Sequence, residues 1–231
     1  MTLAKNTFTN NSQATSINFV LENNLAAYRT LILENCQNPV IYPAGTCLSR
    51  AGEPIKSMYF LLKGMVKVYT INNNGYIRIL GYHKENTIFA MDGLQQQNAC
   101  VTTEAVTDIK VIPISLAEIQ HLSLKNRGFF TDLLVFYGDV LRLMCLDAES
   151  QSVDNVLTRP ANFICVYMQC DYYQHLGYIP LSQDNLASAI NASHIQVARA
   201  CAELKKAGLI SVGRCKLTVN DEKGIREISS F

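Results

Sequence analysis

The sequence predicts an α+β protein in which an antiparallel β-roll of the jelly-roll type is followed by a long helix and a smaller C-terminal helical domain. Three observations support this prediction. Short β-type runs separated by turn residues fill the stretch from 40 to 114, a helical apolar repeat fills 129–155, and two further helical patterns precede a pair of short apolar runs. The period of the apolar residues therefore changes from two to 3.6 where the roll ends, which distinguishes strands from helices.

The composition fits a folded chain with little excess charge. Of its 231 residues, 48% are hydrophobic and 17% charged, and the formal net charge is +1. This near-neutrality counts against a nucleic-acid partner unless a local patch supplies the contact. No apolar run reaches the roughly 18 residues of a membrane span, so we expect no membrane association. The polar segment 1–16 has no apolar signal core and is interpreted as a flexible tail of a cytoplasmic protein.

The eight cysteines are scattered, with neither a Cys-x-x-Cys pair nor zinc-finger spacing. We expect buried reduced thiols and no bound metal. His83 is the one histidine of the roll strands, and it leaves a haem sensor open as an alternative. No nucleophile–base pair or phosphate loop occurs, so the chain is interpreted as non-enzymatic.

Element by element, the N-terminal part begins with helical apolar spacing from Ile17 to about Asn35, which Pro39 ends. The roll strands follow, and Asn72 to Gly75 form a hairpin turn, because Asn and Gly tolerate positive φ. The clearest strand runs are 58–62, 65–71, 76–80 and 108–112.

The long helix carries two apolar stripes. One stripe, with alternating steps of four and three, is typical of a seam between paired helices. It predicts a dimer interface at Phe130, Leu134, Tyr137, Leu141, Met144 and Ala148. The second stripe, at Phe129, Leu133, Phe136, Val140 and Leu143, covers the roll. We expect Thr158, Arg159 and Pro160 to break the helix and form a hinge.

Two helices joined by a tight corner are predicted between 182 and 206. Ser182 caps the first helix, Asn191 takes the corner conformation for which Gly is the usual residue, and Ser193 caps the second helix. Small residues such as Ala187 let the helices approach. The segment is thus predicted to be a helix-turn-helix. The runs 209–212 and 215–219 around Gly213-Arg214 add a two-stranded wing.

The second helix of this motif presents residue types suited to DNA. Arg199 suits guanine O6/N7, Gln196 suits adenine N6/N7, and Ile195 suits a thymine methyl. Ser193, His194 and Ser182 suit phosphates, as do Arg214 and Lys216 of the wing, although the latter two are equally typical of solvated surface charges. A plain helical hairpin with a polar face is the alternative interpretation.

Taken together, these features resemble the superfamily of the cyclic-AMP receptor protein and the fumarate–nitrate reduction regulator (Crp/Fnr), over nearly the full length. The resemblance lies in Gly52-Glu53, the segment 58–69, the heptad helix and the winged segment 181–217, in that order. It implies a cyclic-nucleotide-binding-like roll and a homodimer joined through 130–148. It also implies a transcription regulator that binds a pseudo-palindromic operator in double-stranded DNA, with recognition helices about 34 Å apart, and that contacts RNA polymerase.

The departures from this superfamily concern the effector. Cyclic-nucleotide binders carry a Gly-Glu followed by an Arg-Ser pair, whereas the stretch here reads 89-FAMDGL-94 and 98-NAC-100, without the Arg. We therefore predict that cyclic AMP is not the effector. Only Cys36 and Cys47 lie near the N-terminus, too few for an iron–sulfur cluster.

The string 193-SHIQVAR-199 looks like that of halorespiration regulators that sense chlorinated phenolic compounds. We expect a pocket for a small aromatic ligand, with core packing as the alternative for each residue. Virulence regulators of the listerial type also lack the phosphate cassette, so an unrelated effector stays open. The predicted pocket residues are Tyr76, Tyr82, Phe89, Met91, Leu133 and Tyr137.

The predicted division is a tail (1–16), a sensing roll (17–128), a dimerisation helix and hinge (129–158) and a winged helix-turn-helix domain (159–231). Two other functions stay open. A cupin-like metal enzyme needs several histidines around one metal, and a non-DNA-binding regulatory subunit leaves the winged motif unexplained.

Overall fold

The computed structural model describes residues 19–72, 75–93, 98–152 and 157–229. The predicted tail 1–16 and the turn residues Asn73 and Asn74 lie outside these ranges.

The N-terminal half is a β-roll built from two sheets. The five-stranded sheet has the order β1-β6-β5-β8-β3 and the four-stranded sheet the order β2-β9-β4-β7. Apolar residues of both sheets, among them Leu61, Val66 and Val111, pack together between them. The predicted jelly roll is therefore confirmed. Its strands are β1 (Val20–Leu21), β2 (Val40–Tyr42), β3 (Cys47–Ser49), β4 (Met58–Lys63), β5 (Val66–Ile71), β6 (Ile77–His83), β7 (Ile88–Phe89), β8 (Thr102–Ala105) and β9 (Ile109–Ile114).

The predicted helix from Ile17 to Asn35 is wrong in its first half. Val20–Leu21 is strand β1, which pairs in parallel with Tyr82 and His83 of β6, and only Arg29–Asn35 forms helix α1, after a 3₁₀ turn at Ala26–Tyr28. Asn23 adopts a positive φ of 61°, which interrupts any continuous helix. The open edge of β6 offers backbone partners that the local pattern cannot reveal.

Tight turns fix the order of the central strands. Gly64 joins β4 to β5 with a φ of +100°, and a Cβ there would lie 2.5 Å from the Asp108 carbonyl oxygen, so only glycine fits. Strands β5 and β6 then pair antiparallel as far as Ile71 and Ile77, as the Asn- and Gly-rich turn predicts.

The long helix follows the roll after one short helix. Ser115 and Glu118 form a reciprocal capping box that starts α2 (Leu116–Lys125). Helix α3 (Arg127–Ser152) buries Phe129, Leu133 and Phe136 against the roll. The stripe predicted to cover the roll therefore does so in this part of the helix.

The C-terminal part, here called the winged domain, runs from α4 to α8. Its elements are α4 (Thr158–Met168), α5 (Asp171–Leu176), α6 (Gln183–Ile190), α7 (His194–Lys206), β10 (Ile210–Gly213), β11 (Lys216–Val219) and α8 (Glu222–Ile228). The predicted break at Thr158, Arg159 and Pro160 is wrong, because these residues form the first turn of α4. A proline in a first turn costs no hydrogen bond, since that N–H has no partner within the helix.

The roll and the winged domain share a continuous apolar core. Phe19, which precedes β1, packs edge-on against Phe163 of α4, with the ring centroids 4.7 Å apart. Ile79 and Tyr82 of β6 belong to the same buried cluster as Ile190 of α6. The winged domain is thus docked on the outer face of its own roll.

Candidate nucleic-acid interface and sensor pocket

The helix-turn-helix corner has the predicted geometry. Asn191 ends α6 in the left-handed conformation, with φ 52° and ψ 50°. The Ala192 N–H donates to the Ala187 carbonyl at 3.0 Å, and Ala187 is buried where the helices approach. Ser182 Oγ accepts from the Asn185 N–H at 3.1 Å and so caps α6.

Helix α7 is amphipathic and turns its polar face outward. Val197, Ala200, Cys201 and Leu204 are buried against the rest of the domain. Ile195 is 63% exposed although it is a large aliphatic residue. The same exposed surface holds the other predicted contact residues, Ser193, His194, Gln196 and Arg199. An exposed aliphatic side chain among polar ones suits an interface with base edges.

The wing differs by one residue from the sequence prediction. Gly213 pairs with Lys216, so Arg214 and Cys215 form the two-residue turn, and Cys215 takes a φ of 50°. Arg214 and Lys216 are exposed. Lys216 Nζ lies 4.5 Å from the centre of the Tyr178 ring, which holds this cation beside the hairpin.

The recognition helix has an acidic neighbour that the sequence pattern does not reveal. Asp184 Oδ1 of α6 lies 3.6 Å from His194 Nε2 at the start of α7. Their spacing of ten residues carries no local signal, because the corner angle alone brings them together.

The residues of the predicted dimer seam on α3 differ in their exposure. Phe130, Leu134 and Leu141 are half or more exposed, as expected for an unpaired seam. Tyr137 and Met144, in contrast, are only partly exposed and turn toward the roll, where the Tyr137 hydroxyl donates to the Met91 carbonyl at 3.3 Å. The exposed stripe instead runs through Phe130, Leu134, Gly138, Leu141, Cys145 and Ala148. We call this stripe the α3 seam.

A cavity of about 260 Å³ lies between β6, α3 and the short 3₁₀ turn Met91–Gly93. Its lining is mostly apolar, and it includes Phe89, Met91 and Tyr137 of the predicted pocket residues.

The other three predicted pocket residues lie elsewhere. The Tyr76 hydroxyl contacts the helix-turn-helix corner. Tyr82 packs on Phe19, because strand alternation places it on the opposite face from its neighbours Gly81 and His83, which line the cavity. Leu133 lines a groove between α2 and α3.

The charge of the cavity lining bears on the kind of ligand that could bind there. Its described lining contains no lysine or arginine, and the adjoining stretch 94–97 is uncharged in sequence. The acidic lining residue Asp92 accepts from the Cys100 N–H at 2.7 Å. An anionic ligand would lose its hydration there without gaining a cationic partner.

His83 is buried beside this cavity, and burial lowers the pKa of its imidazole to about 4. The Thr87 hydroxyl donates to the Lys84 carbonyl at 2.7 Å, so its oxygen is free to accept from His83 Nδ1 at 3.3 Å. This leaves Nε2 of the neutral ring as an acceptor.

Neither a metal cluster nor a membrane span is found in the part of the chain that the structure describes. No group of three or more His, Cys, Asp or Glu side chains converges there, and no described helix is long and apolar enough to cross a bilayer. The cysteines are free thiols, and burial raises the pKa of Cys170 to about 12. The arrangement that a cupin-like metal site needs is thus missing from the described residues.

Known protein families match both halves of the chain. Residues 39–126 match the family model of the cyclic nucleotide-binding domain, and residues 159–228 match the Crp-like helix-turn-helix domain. The fumarate and nitrate reduction regulatory protein of Shigella dysenteriae is 17% identical over 189 residues, which cover 80% of this chain and 76% of that protein.

Solved structures share the fold. The c-di-GMP responsive global regulator CLP of Xanthomonas campestris superposes with a TM-score of 0.72 at 18% identity, covering 84% of this chain and 98% of that one. CprK in complex with OCPA gives a TM-score of 0.68 at 17% identity, covering 87% of this chain and 95% of that one. Both family models match in tandem, and they agree with the corner at Asn191 and the exposed α7. The chain therefore belongs to the Crp/Fnr superfamily of DNA-binding transcription regulators.

Proposed function

We propose that this regulator binds a pseudo-palindromic operator as a homodimer, through the N-terminal face of α7. The observation that carries the proposal is the exposed surface of Ser193, His194, Ile195 and Arg199 directly after the Asn191 corner. Arg199 is assigned to guanine and Ile195 to a thymine methyl, while Ser193 and His194 contact phosphates. Ser182, Arg214 and Lys216 flank this surface and are assigned to the DNA backbone.

The α3 seam supports the two-fold pairing. Its exposed apolar side chains recur at steps of three and four, so a second copy of α3 covers them in a parallel pair. A two-fold axis along this seam places two copies of α7 over half-sites about one duplex turn apart. The domains assigned are the sensing roll (17–128), the dimerisation helix and hinge (129–158) and the winged helix-turn-helix domain (159–231).

We assign a small, uncharged, largely apolar effector to the cavity of about 260 Å³. The lack of a lysine or arginine in its described lining supports an effector other than cyclic AMP. The relatives are regulators rather than enzymes, and we assign no catalytic activity. RNA polymerase is the expected protein partner, in the cytoplasm of a bacterium.

Selection of duplexes from a random pool tests the operator assignment. The full-length protein is expected to enrich a two-fold symmetric motif. Arg199→Ala is then expected to weaken binding about 10- to 100-fold and to relax the choice at one base pair in each half-site. Lys206→Ala, at the far end of α7, serves as the control and loses affinity evenly across sequences. Enrichment of no motif, or unchanged base choice in Arg199→Ala, would contradict the assignment.

A further inference from the structure

Tyr76, one residue before β6, contacts the helix-turn-helix corner on both sides. The Tyr76 hydroxyl lies 3.0 Å from the carbonyl oxygen of Ala187 and 3.0 Å from that of Ala192. A phenol has one hydrogen to donate, so the two carbonyls share it. These carbonyls flank Asn191, whose left-handed backbone sets the angle between α6 and α7. One side chain of the roll is therefore bonded to both sides of the turn that aims the recognition helix.

A second set of contacts reaches the same corner from the long helix. Asn191 Nδ2 donates to Gln151 Oε1 at 3.1 Å, and Gln151 Nε2 donates to Asp147 Oδ2 at 3.1 Å. Asp147 forms an ion pair with Arg78 of β6. A glycine at the corner would turn the chain equally well but would offer no amide to this network.

The same two elements form the walls of the cavity. Strand β6 contributes Leu80, Gly81 and His83, and α3 contributes residues up to Leu143 and Met144. Arg78 lies two residues before Leu80, and Asp147 lies one helical turn after Leu143. The cavity walls and the chain of contacts from Arg78 and Asp147 to Asn191 therefore lie on the same two elements, β6 and α3.

We propose that Tyr76, Arg78, Asp147 and Gln151 are positioning residues that form a latch on the helix-turn-helix corner and couple the cavity to the placement of α7. The proposal rests on the proposed function, because it takes the cavity as the effector site and α7 as the DNA contact. An intact latch holds the winged domain in one placement on the roll. The two recognition helices of a dimer must match one half-site spacing, so holding the winged domain in a single placement favours operator binding. Loosening the latch lowers operator affinity without changing the choice of bases.

Two measurements on the full-length protein test the latch. Tyr76→Phe removes only the hydroxyl, and Gln151→Ala removes the link between Asn191 and Asp147. Tyr28→Phe is the matched control, since its hydroxyl donates to Asp132 at 2.7 Å, far along α3 from the winged domain. Hydrogen exchange of the DNA-free protein is expected to quicken in peptides covering 77–83 and 183–192 for both latch variants, and to stay at the wild-type rate in peptides covering 109–114.

Binding to the selected duplex supplies the second measurement. Each latch variant is expected to bind about three- to tenfold more weakly, the effect of one lost neutral hydrogen bond, with the same base preference as the wild type. Tyr28→Phe stays within about twofold. Unchanged exchange, or affinity within about twofold of the wild type despite faster exchange, would overturn the latch. A wild-type protein that selects no motif would instead overturn the operator assignment, and in that case the exchange rates alone decide whether the latch exists.

Discussion

Ser193 and Gln196 hold each other at the start of the recognition helix. The Ser193 N–H donates to Gln196 Oε1 at 2.9 Å, and the Gln196 N–H donates to Ser193 Oγ at 3.2 Å. This reciprocal capping box satisfies two N–H groups that the helix start leaves without partners. Two residues assigned to DNA contact are therefore bonded to each other in the free protein, and Gln196 has to leave the cap before its side chain can pair with adenine.

Gln196→Glu separates the capping role from the DNA role. Glutamate keeps the capping box and suits the positive end of the helix dipole, so we expect a melting temperature within about 2 °C of the wild type. Operator affinity is expected to fall more than about tenfold, because the negative charge of DNA repels the carboxylate and the carboxylate cannot donate to adenine N7. Thermal melting and fluorescence anisotropy give the two values. An equally tight complex would remove Gln196 from the DNA interface.

The α3 seam makes a prediction about register. In a parallel two-fold pair each seam position faces its own copy, so the two Cys145 thiols lie within reach of a disulfide. In a Cys100→Ser/Cys215→Ser background, mild oxidation is expected to give a covalent dimer on a non-reducing gel.

Moving the thiol by one residue is the control for this register. Met144→Cys combined with Cys145→Ser places the thiol on the side that packs toward the roll, and we expect no covalent dimer. Efficient cross-linking through residue 144 would instead favour the seam predicted from the sequence.

His83 predicts a pH dependence of stability. Its folded-state pKa of about 4 lies below the value of about 6.5 expected in the unfolded chain, so protons bind more tightly to the unfolded state. The part of the free energy of unfolding that depends on a neutral His83 is fully present above about pH 6.5 and is lost as the pH falls toward about 4. Between these two pH values the free energy of unfolding is expected to change by about 1.4 kcal/mol for each pH unit.

Urea unfolding at pH 7, 6 and 5 measures this slope. His83→Gln is expected to flatten it, whereas His121→Gln, an exposed control on α2, leaves it unchanged. A His83→Gln protein with the wild-type slope would show that other groups control the acid response.

The cavity predicts which ligands stabilise the protein. A small neutral aromatic such as indole, at about ten times its dissociation constant, adds about 1.4 kcal/mol and raises the melting temperature by a few degrees. Cyclic AMP is expected to give no shift, since the described lining offers no cation for its phosphate. Val140→Phe fills part of the cavity and removes the response to indole, whereas Val106→Phe, on an exposed roll turn, retains it. A melting shift with cyclic AMP would contradict the effector class.

Much of the fold follows from local sequence. The period-two runs around Phe60 and Val68, the corner at Asn191 and the caps at Ser182 and Ser193 each have a local physical cause, and each is found as predicted. The errors occur where a local pattern fits two structures. Val20–Leu21 fits a helical pattern but pairs with β6, and Pro160 is typical of a helix break but lies in the first turn of α4.

The order of the domains and the polar face of α7 follow from the amino-acid sequence, because strand alternation, helix capping and a left-handed corner depend on residues close together along the chain. The surroundings of individual side chains depend instead on how the elements pack. Tyr76 lies on the corner rather than in the cavity, and Cys145 replaces Met144 in the α3 seam. Which face of a helix or strand meets which neighbour depends on contacts between residues distant in sequence. The sequence pattern supplies two apolar stripes on α3, but only packing assigns one to the roll and leaves the other for a second copy.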